Sequence, residues 1–230
     1  MFKRLRYYLR FLKSLFQINF RLLWGMWRLT KLPQPTITVF GGSRIDANSI
    51  YAQKARQLAK MLVADGFSII TGGGPGIMEA ANEGALDFVK ECDISDRTHC
   101  KPIVSAGIGL LRLNKEEANP YVQENIVMDH FFTRKWLLVR YSIGFVIFPG
   151  GFGTLDELFE IVTLMQTDHM QQAPIVLVDS SYWQHIIQWI EEKALAENLI
   201  APKDRNIIQV VDTVEEAFTI IKTFCSEQQS

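Results

Sequence analysis

An apolar run that ends in a proline and a cluster of glycines constrains the fold of this chain more than any other feature. Residues 145–148 are Phe-Val-Ile-Phe, a β-prone stretch, and three glycines follow Pro149 within four residues. From Thr154 onward, apolar residues recur at the spacing of a helix stripe. The run therefore predicts a strand, a glycine turn and a helix N-terminus. Unpaired backbone N–H groups and the helix dipole favour an anion at such a turn.

The alternation of strands and helices extends along the whole chain from residue 36. Strands are predicted at 36–40, 67–71, 103–107, 125–128, 145–148, 175–179 and 207–211, and helices at 48–64, 77–89, 132–141, 154–165, 182–197 and 214–224. Continuous apolar strands that alternate with helices are typical of a parallel sheet covered on both faces. We therefore expect an α/β, Rossmann-like, doubly wound domain over 36–225, followed by a tail at 226–230.

Glycine-rich turns follow three of the predicted strands, at residues 41–42, 72–76 and 150–153. Right-handed parallel connections bring the carboxyl ends of these strands to one edge of the sheet. The first turn lacks the glycine spacing of a dinucleotide fingerprint, and the turns contain no Walker lysine. The pattern therefore favours a mononucleotide or a sugar phosphate over NAD or a nucleoside triphosphate.

Three charged residues near these turns are candidates for chemistry. Thr154 and Glu157 have the spacing of a capping box, in which the acid bonds back to the N–H of the cap residue. Glu157 is also placed, one turn into the helix, to face a bound phosphate. Arg134 and Lys135 precede the fifth strand, and they either form a solvated patch or reach the same pocket. An arginine and a glutamate beside a phosphate suit the cleavage of a glycosidic bond, because a carboxylate stabilises positive charge on the sugar ring.

Residues 1–31 form a basic, aromatic arm. Eight of the 24 basic residues lie there without any acidic residue, so the rest of the chain carries 16 basic and 25 acidic residues. Such an acidic body argues against nucleic acid as the main partner. The arm is predicted to be an amphipathic helix that either lies on an anionic membrane surface or packs on its own or a neighbouring subunit. Prolines at 33 and 35 end it, so 1–35 is treated as a separate segment.

Cysteine usage indicates the compartment. Cys92, Cys100 and Cys225 are too few and too scattered for a disulfide framework, which favours a reducing, cytoplasmic setting. Cys92, His99 and Cys100 lack a second ligand pair at zinc spacing, so no metal site is predicted. Charged residues interrupt every apolar stretch of the arm, so we expect neither a membrane-spanning helix nor a signal peptide there.

Two of these motifs together resemble the Lonely Guy (LOG) family. Residues 149–157, Pro-Gly-Gly-Phe-Gly-Thr-Leu-Asp-Glu, with Arg134 and Lys135 upstream, resemble the signature of that family. Residues 72–82, Gly-Gly-Gly-Pro-Gly-Ile-Met-Glu-Ala-Ala-Asn, look like its second motif in the longer bacterial form. The resemblance covers about residues 37–211. It implies a Rossmann-like fold and an activity that splits nucleoside 5′-monophosphates, such as AMP or N6-substituted cytokinin nucleotides, into free base and ribose 5-phosphate, without a metal or an organic cofactor.

The resemblance also implies roles for individual residues. Arg134 and Glu157 match the catalytic arginine and glutamate of the family. The implied substrate-binding and pocket residues are Gly42, Ser43, Gly73, Gly74, Glu117, Lys135, Gly150, Gly151, Gly153, Thr154 and Thr163. Family members form dimers or larger assemblies with active sites near a subunit interface, so a homo-oligomer is expected.

Other functions stay open at this level. The domain could bind a nucleotide or another phosphate ligand without turnover, or the arm could tether an oligomer to a membrane. The label "possible lysine decarboxylase", also used for the family, fits less well. Pyridoxal phosphate chemistry needs a Schiff-base lysine and an acidic partner for the ring nitrogen. Lys135 is the only lysine near the motifs, and its neighbour Arg134 is an unsuitable companion.

Overall fold

A computed structural model describes residues 2–95, 103–111 and 118–228. Within these residues, seven strands form one parallel sheet in the order β4-β3-β2-β1-β5-β6-β7. The strands are β1 (Thr36–Phe40), β2 (Ser68–Thr71), β3 (Ser105–Leu110), β4 (Glu124–Met128), β5 (Gly144–Ile147), β6 (Ile175–Val178) and β7 (Ile208–Val211). The helices are α1 (Phe2–Leu29), α2 (Ile50–Ala64), α3 (Ile77–Ser95), α4 (Phe131–Arg140), α5 (Phe152–Gln166), α6 (Ser180–Trp189) and α7 (Val214–Gln228).

Helices cover both faces of the sheet. Ile37, Val39 and Val146 belong to a core with α2, α3 and α7, whereas Phe145 and Ile147 belong to a core with α4, α5 and α6. Alternate strand residues point to opposite faces, so a strand buried on both sides needs apolar residues throughout. The predicted α/β, doubly wound parallel fold is confirmed.

Several element boundaries differ from the prediction for physical reasons. α3 runs on to Ser95 rather than to residue 89. β3 starts later than predicted and continues to Leu110, because its second half is paired with β4. The predicted helix at 182–197 is divided into α6 and a π-helical turn, Ile190–Leu195. α2 stops where predicted, since Gly66 adopts a φ of 98°, which suits a glycine after a helix C-terminus.

The arm is helical, and its last third packs on the body. Leu29 and Leu32 are buried in the core that contains α4 and α5. Arg28 forms an ion pair with Glu124 at the start of β4, which is the edge strand. The C-terminal end of α1 therefore packs on the body of its own chain, which is one of the alternatives that the sequence left open for the arm. Among the described residues, every helix is too short or too polar to span a bilayer.

Close packing of α2 on α3 yields a first testable expectation. A Cβ at Gly84 in α3 would collide with the backbone carbonyl of Arg56 in α2. Gly84→Ala should therefore lower the free energy of unfolding by about 1–3 kcal/mol, because backbone must move to make room. Urea denaturation measures this change. The control is Gly109→Ala in β3, where a Cβ meets nothing within 4 Å; an equal loss in both variants would contradict the packing argument.

Candidate active site

The three glycine turns meet at one edge of the sheet. β1 lies between β2 and β5, so the turns after these strands are neighbours. The N–H of Gly42 donates to the carbonyl of Pro149 at 3.0 Å, and the N–H of Ile77 donates to the carbonyl of Gly42 at 3.2 Å. β1 is also where the strand order switches direction, the position at which α/β sheets bind ligands. We call residues 41–43, 72–76 and 149–153 the glycine rim.

Gly76 and Gly150 show why this rim is built from glycine. Gly76 has a φ of +70°, and a Cβ there would collide with the carbonyl oxygen of Gly42. A Cβ at Gly150 would collide with Oγ1 of Thr154. At Gly151 and Gly153, by contrast, a Cβ would meet nothing within 4 Å. The inner rim is therefore tightly packed backbone, and its outer side is open to a ligand.

The N-terminus of α5 lies on the open side of the rim. α5 begins at Phe152 with Gly151 as its N-cap, and no described side chain caps it. The capping box, the alternative role for Thr154 and Glu157, does not form, because α5 begins at Phe152 and Thr154 is its third residue rather than its cap. The first backbone N–H groups of α5 thus keep the capacity to bind an anion.

Glu157 is a buried carboxylate at this edge of the sheet. Only 5% of the residue is exposed. Its Oε1 accepts a hydrogen bond from Nη1 of Arg134 at 3.0 Å, whereas Oε2 has no hydrogen-bond partner within the described residues. Burial raises the pKa of Glu157, and the positive charges of Arg134 and Lys135 offset this only in part. The carboxylate therefore has one oxygen held by Arg134 and one buried oxygen without a hydrogen-bond partner among the described residues.

Arg134 connects Glu157 to the rest of the rim. Its Nε donates to the carbonyl of Ile108 in β3 at 2.9 Å. A Cβ at Gly72 would collide with its Nη2, so the guanidinium lies directly against the second glycine turn. The structure thus brings Arg134 and Glu157 together, although 23 residues separate them.

A buried polar network fixes the second glycine turn. Oγ1 of Thr71 accepts from the N–H of Gly73 at 3.0 Å and bonds Oδ1 of Asn82 at 2.8 Å. Asn119 donates from Nδ2 to Gly74 at 2.9 Å and from its backbone N–H to Gly73 at 2.9 Å. Sequence reasoning assigned no role to these side chains. Asn82 stood inside a quoted motif, but a buried asparagine in a helix gives no local signal of what it binds.

Residues after β6 complete the rim on its other side. The hydroxyl of Tyr182 donates to the carbonyl of Gly150. Asp179 has a φ of 82°, an unusual backbone conformation for a residue other than glycine. Burial of the Tyr51 hydroxyl and the negative charge of Asp179 both raise the pKa of Tyr51. Sequence reasoning missed Asp179 and Tyr182, because only the strand order places the end of β6 beside the turn after β5.

Two residues that the resemblance implied for substrate binding lie along the outer side of α5, Lys135 beside the rim and Thr163 away from it. Nζ of Lys135 forms ion pairs with Asp156 at 2.8 Å and with Glu160 at 2.9 Å, on the outer side of α5. Thr163 is exposed, donates to the carbonyl of Phe159, and lies about 14 Å along the helix from Thr154. Lys135 and Thr163 line a shared depression of about 590 Å³ with the fully exposed ring of Phe152.

The other residues that the resemblance implied lie either at the rim or in a part of the chain that the structure does not describe. Eight of the implied residues lie on or beside the rim: Gly42, Ser43, Gly73, Gly74, Gly150, Gly151, Gly153 and Thr154. Glu117 lies outside the described residues, as do His99, Cys100 and the side chain of Cys92. Within the described residues, no group of three side chains could hold a metal ion.

Comparisons with known proteins identify a family and its relatives. The family model described as "Possible lysine decarboxylase" matches residues 78–221, and the SLOG cluster4 family model matches residues 34–92. A rice protein (Oryza sativa subsp. japonica) named as a probable cytokinin riboside 5′-monophosphate phosphoribohydrolase is 30% identical over 77% of this chain and 79% of its own length. A cytokinin riboside 5′-monophosphate phosphoribohydrolase of Arabidopsis thaliana is 28% identical over 78% of each chain.

Solved structures share the fold. The molybdenum cofactor binding protein of Rippkaea orientalis is 23% identical, with a TM-score of 0.55 over 84% of this chain and 98% of that chain. The molybdenum cofactor carrier protein of Chlamydomonas reinhardtii is 20% identical, with a TM-score of 0.58 over 84% of this chain and 99% of that chain. At these identities the likeness concerns the architecture alone.

The raised pKa of Glu157 predicts how stability changes with pH. The unfolded chain loses this proton near the ordinary value of 4.5, whereas the folded protein keeps it to higher pH. Folding stability therefore falls as pH rises from about 4.5, and the loss is complete above the folded pKa. Relative to Glu157→Gln, which does not titrate, the wild type should lose free energy of unfolding over this window in pH-dependent denaturation.

Glu216→Gln is the matched control for this titration. Backbone N–H groups at Thr213 and Asp212 lower the pKa of Glu216, so its contribution to stability is present above pH 4.5 and is lost as pH falls. The two variants should therefore differ from the wild type with opposite pH slopes. Equal slopes would contradict the burial of an ionisable Glu157.

Proposed function

Because the chain belongs to the Lonely Guy (LOG) family, we propose that it is a nucleoside 5′-monophosphate phosphoribohydrolase. It splits AMP or an N6-substituted cytokinin nucleotide into the free base and ribose 5-phosphate, with no metal or organic cofactor. One observation carries the proposal: the buried carboxylate of Glu157 keeps an unpartnered oxygen beside a glycine rim and a helix N-terminus that suit a phosphate.

In the proposed complex, the 5′-phosphate is bound by main-chain groups. The first N–H groups of α5 point out of the helix without a capping side chain, and the helix dipole favours a negative charge there. Gly151 and Gly153 leave the approach open. Binding through backbone fixes the ribose against the rim with little dependence on long, flexible side chains.

Cleavage then proceeds by hydrolysis at the anomeric carbon. The bond between C1′ and the base nitrogen breaks, and the sugar ring develops positive charge, which the carboxylate of Glu157 stabilises. A water molecule adds its oxygen to C1′. One of its protons leaves through the carboxylate, and the departing base takes up a proton at nitrogen. The raised pKa of Glu157 suits these two proton transfers, because a carboxyl that titrates closer to neutral pH exchanges protons more readily.

Arg134 acts in this proposal by holding the carboxylate in its working position. Its hydrogen bonds to Ile108 and Glu157 occupy Nε and Nη1, and Nη2 faces the second glycine turn. Its permanent positive charge counteracts part of the effect of burial on the pKa of Glu157. Arg134 thereby limits how far burial raises the pKa of Glu157.

Lysine decarboxylation, the activity in the description of the matching family model, does not fit these residues. Lys135 would be the Schiff-base lysine, and burial alone would lower its pKa. Hydrogen bonds with Asp156 and Glu160 and the charge of Glu157 outweigh burial, so its pKa is raised instead. A protonated, doubly paired amine is a poor nucleophile toward a carbonyl cofactor.

The decisive experiment compares Glu157→Gln with the wild type. Purified protein incubated with AMP, or with an N6-substituted AMP, should release free base and ribose 5-phosphate, detected by chromatography. The substitution should lower kcat by about 10²- to 10⁴-fold, since it removes the carboxylate while keeping an oxygen for Arg134. The matched control is Glu192→Gln, an exposed glutamate after α6, which should retain full activity.

A binding measurement separates hydrolysis from its alternative. Calorimetry with AMP should show that Glu157→Gln binds the nucleotide with an affinity close to that of the wild type. If the wild type binds AMP and releases no base from any monophosphate, the hydrolase proposal fails. The chain would then be a nucleotide- or phosphate-binding module without turnover.

We further propose that the outer side of α5 contacts a second copy of the chain. Beside the depression at Lys135 and Thr163, a larger groove of about 860 Å³ is lined mostly by apolar residues, and Phe159, Trp189 and Leu199 expose large parts of their side chains. A contiguous apolar surface of this kind is typical of an interface. Such a partner would lie next to Lys135 and Thr163.

A test of this contact uses the mass of the particle in solution. Phe159→Asp with Trp189→Asp should convert an oligomer to single chains in sedimentation velocity, because a buried unpaired carboxylate opposes association. Ile50→Asp, at an exposed apolar residue at the start of α2, serves as the control and should leave the mass unchanged. A wild-type protein that sediments as a single chain would contradict the proposed contact.

A further inference from the structure

α1 has one side that is docked and one side that is open. On the docked side, Leu29 is buried, and a Cβ at Gly25 would lie 2.7 Å from Cδ1 of Leu137 and 3.4 Å from Ile126 and Met128. Gly25 thus lets the helix backbone approach α4 and β4 closely. The described side chains from Arg4 to Lys13 are all exposed, so the first half of the helix extends beyond this contact.

Ion pairs fix the orientation of the docked end. Arg28 and Lys31 pair with the buried carboxylate of Glu124, and Arg21 pairs with Asp129 at 3.3 Å. Breaking an ion pair with a buried acid lowers the stability of the fold, because the carboxylate would keep a buried negative charge without a positive partner. The rotation of α1 about its axis is therefore fixed relative to the body, and so is the direction in which its open side faces.

The open side of α1 is an apolar stripe. Its residues recur every three or four positions and all are more than half exposed: Leu9, Leu12, Phe16, Phe20, Leu23 and Trp27. At 100° per residue they lie about 140–180° around the helix axis from Gly25, away from the body. Phe16 is the most exposed of them, at 73%. An exposed apolar stripe of this length marks an interaction surface.

The charges beside the stripe indicate what that surface is. Arg6, Arg10 and Lys13 follow one flank of the stripe, and none of them forms an ion pair with the described residues. Residues 1–31 contain no acidic residue. If α1 paired with a second α1 along the stripe, basic flanks would face each other without any carboxylate from either helix. An anionic lipid surface supplies the opposite charge and an apolar layer together.

We propose that α1 lies in the plane of an anionic membrane surface, with the stripe of Leu9 to Trp27 inserted at the boundary of headgroups and acyl chains. Arg6, Arg10 and Lys13 then bind lipid phosphates. The ion pairs at Glu124 and Asp129 hold the body on the opposite side of the helix, facing water. The proposal is independent of the activity at the glycine rim.

Vesicle co-sedimentation of the full chain tests the proposal. The wild type should bind vesicles that contain phosphatidylglycerol and should bind pure phosphatidylcholine vesicles much more weakly, with the difference reduced at high salt. Arg10→Glu with Lys13→Glu should weaken binding to anionic vesicles by at least about tenfold. Phe16→Ser should weaken it by about tenfold, because a large apolar group no longer enters the bilayer.

Matched controls use the same chemistry at other places on the surface. Lys193→Glu with Lys203→Glu changes two exposed basic residues near β7, at the other edge of the sheet, and Ile50→Ser changes an exposed apolar residue on α2. Both should bind anionic vesicles like the wild type. Melting temperatures of all variants should agree with the wild type, because every changed side chain is exposed.

Two results would overturn the proposal. Equal binding of the wild type and the two α1 variants to anionic vesicles would exclude the stripe and its basic flank as the contact. A change in sedimentation coefficient without vesicles in Phe16→Ser, combined with unaltered vesicle binding, would show that the stripe pairs with another copy of the chain instead.

Discussion

The guanidinium of Arg134 is the interaction on which the candidate site depends. Its Nε holds the carbonyl of Ile108, its Nη1 holds Glu157, and its Nη2 lies against Gly72, so a single side chain joins β3, the turn after β2 and α5. The positive charge is permanent and stands next to a buried carboxylate whose pKa burial raises. Without Arg134, burial would raise the pKa of Glu157 further and favour its neutral form more strongly.

Hydrogen bonds within the protein fix the glycine turns of the site in place without a ligand. Thr71, Asn82 and Asn119 bond the second glycine turn, and the first turn bonds the third through Gly42 and Pro149. Two buried polar atoms, Oε2 of Glu157 and Nδ2 of Asn82, have no partner within the described residues. Such groups cost stability, and they are tolerated where a ligand satisfies them. Preorganised donors and acceptors of this kind suit a reaction that develops charge.

The two proposed contact surfaces occupy different parts of the fold. α1 docks at the β4 edge of the sheet, whereas the apolar groove on α5 and α6 lies over the strands toward β7. A second copy bound at the groove therefore leaves the apolar stripe of α1 open.

Local sequence determined the elements and their chemistry. Strand, glycine turn and helix at 145–157 follow from propensity and spacing, and the alternation of such units determined a parallel sheet. The strand order decided the rest, because it sets which strand ends are neighbours, and no local pattern encodes it. Tyr182 reaches Gly150 only because β5 lies between β1 and β6. Arg134 meets Glu157 through the packing of α4, α5 and β3, which no local pattern specifies. Lys135, adjacent to Arg134 in sequence, points to the outer side of α5, since neighbouring residues of a helix face about 100° apart.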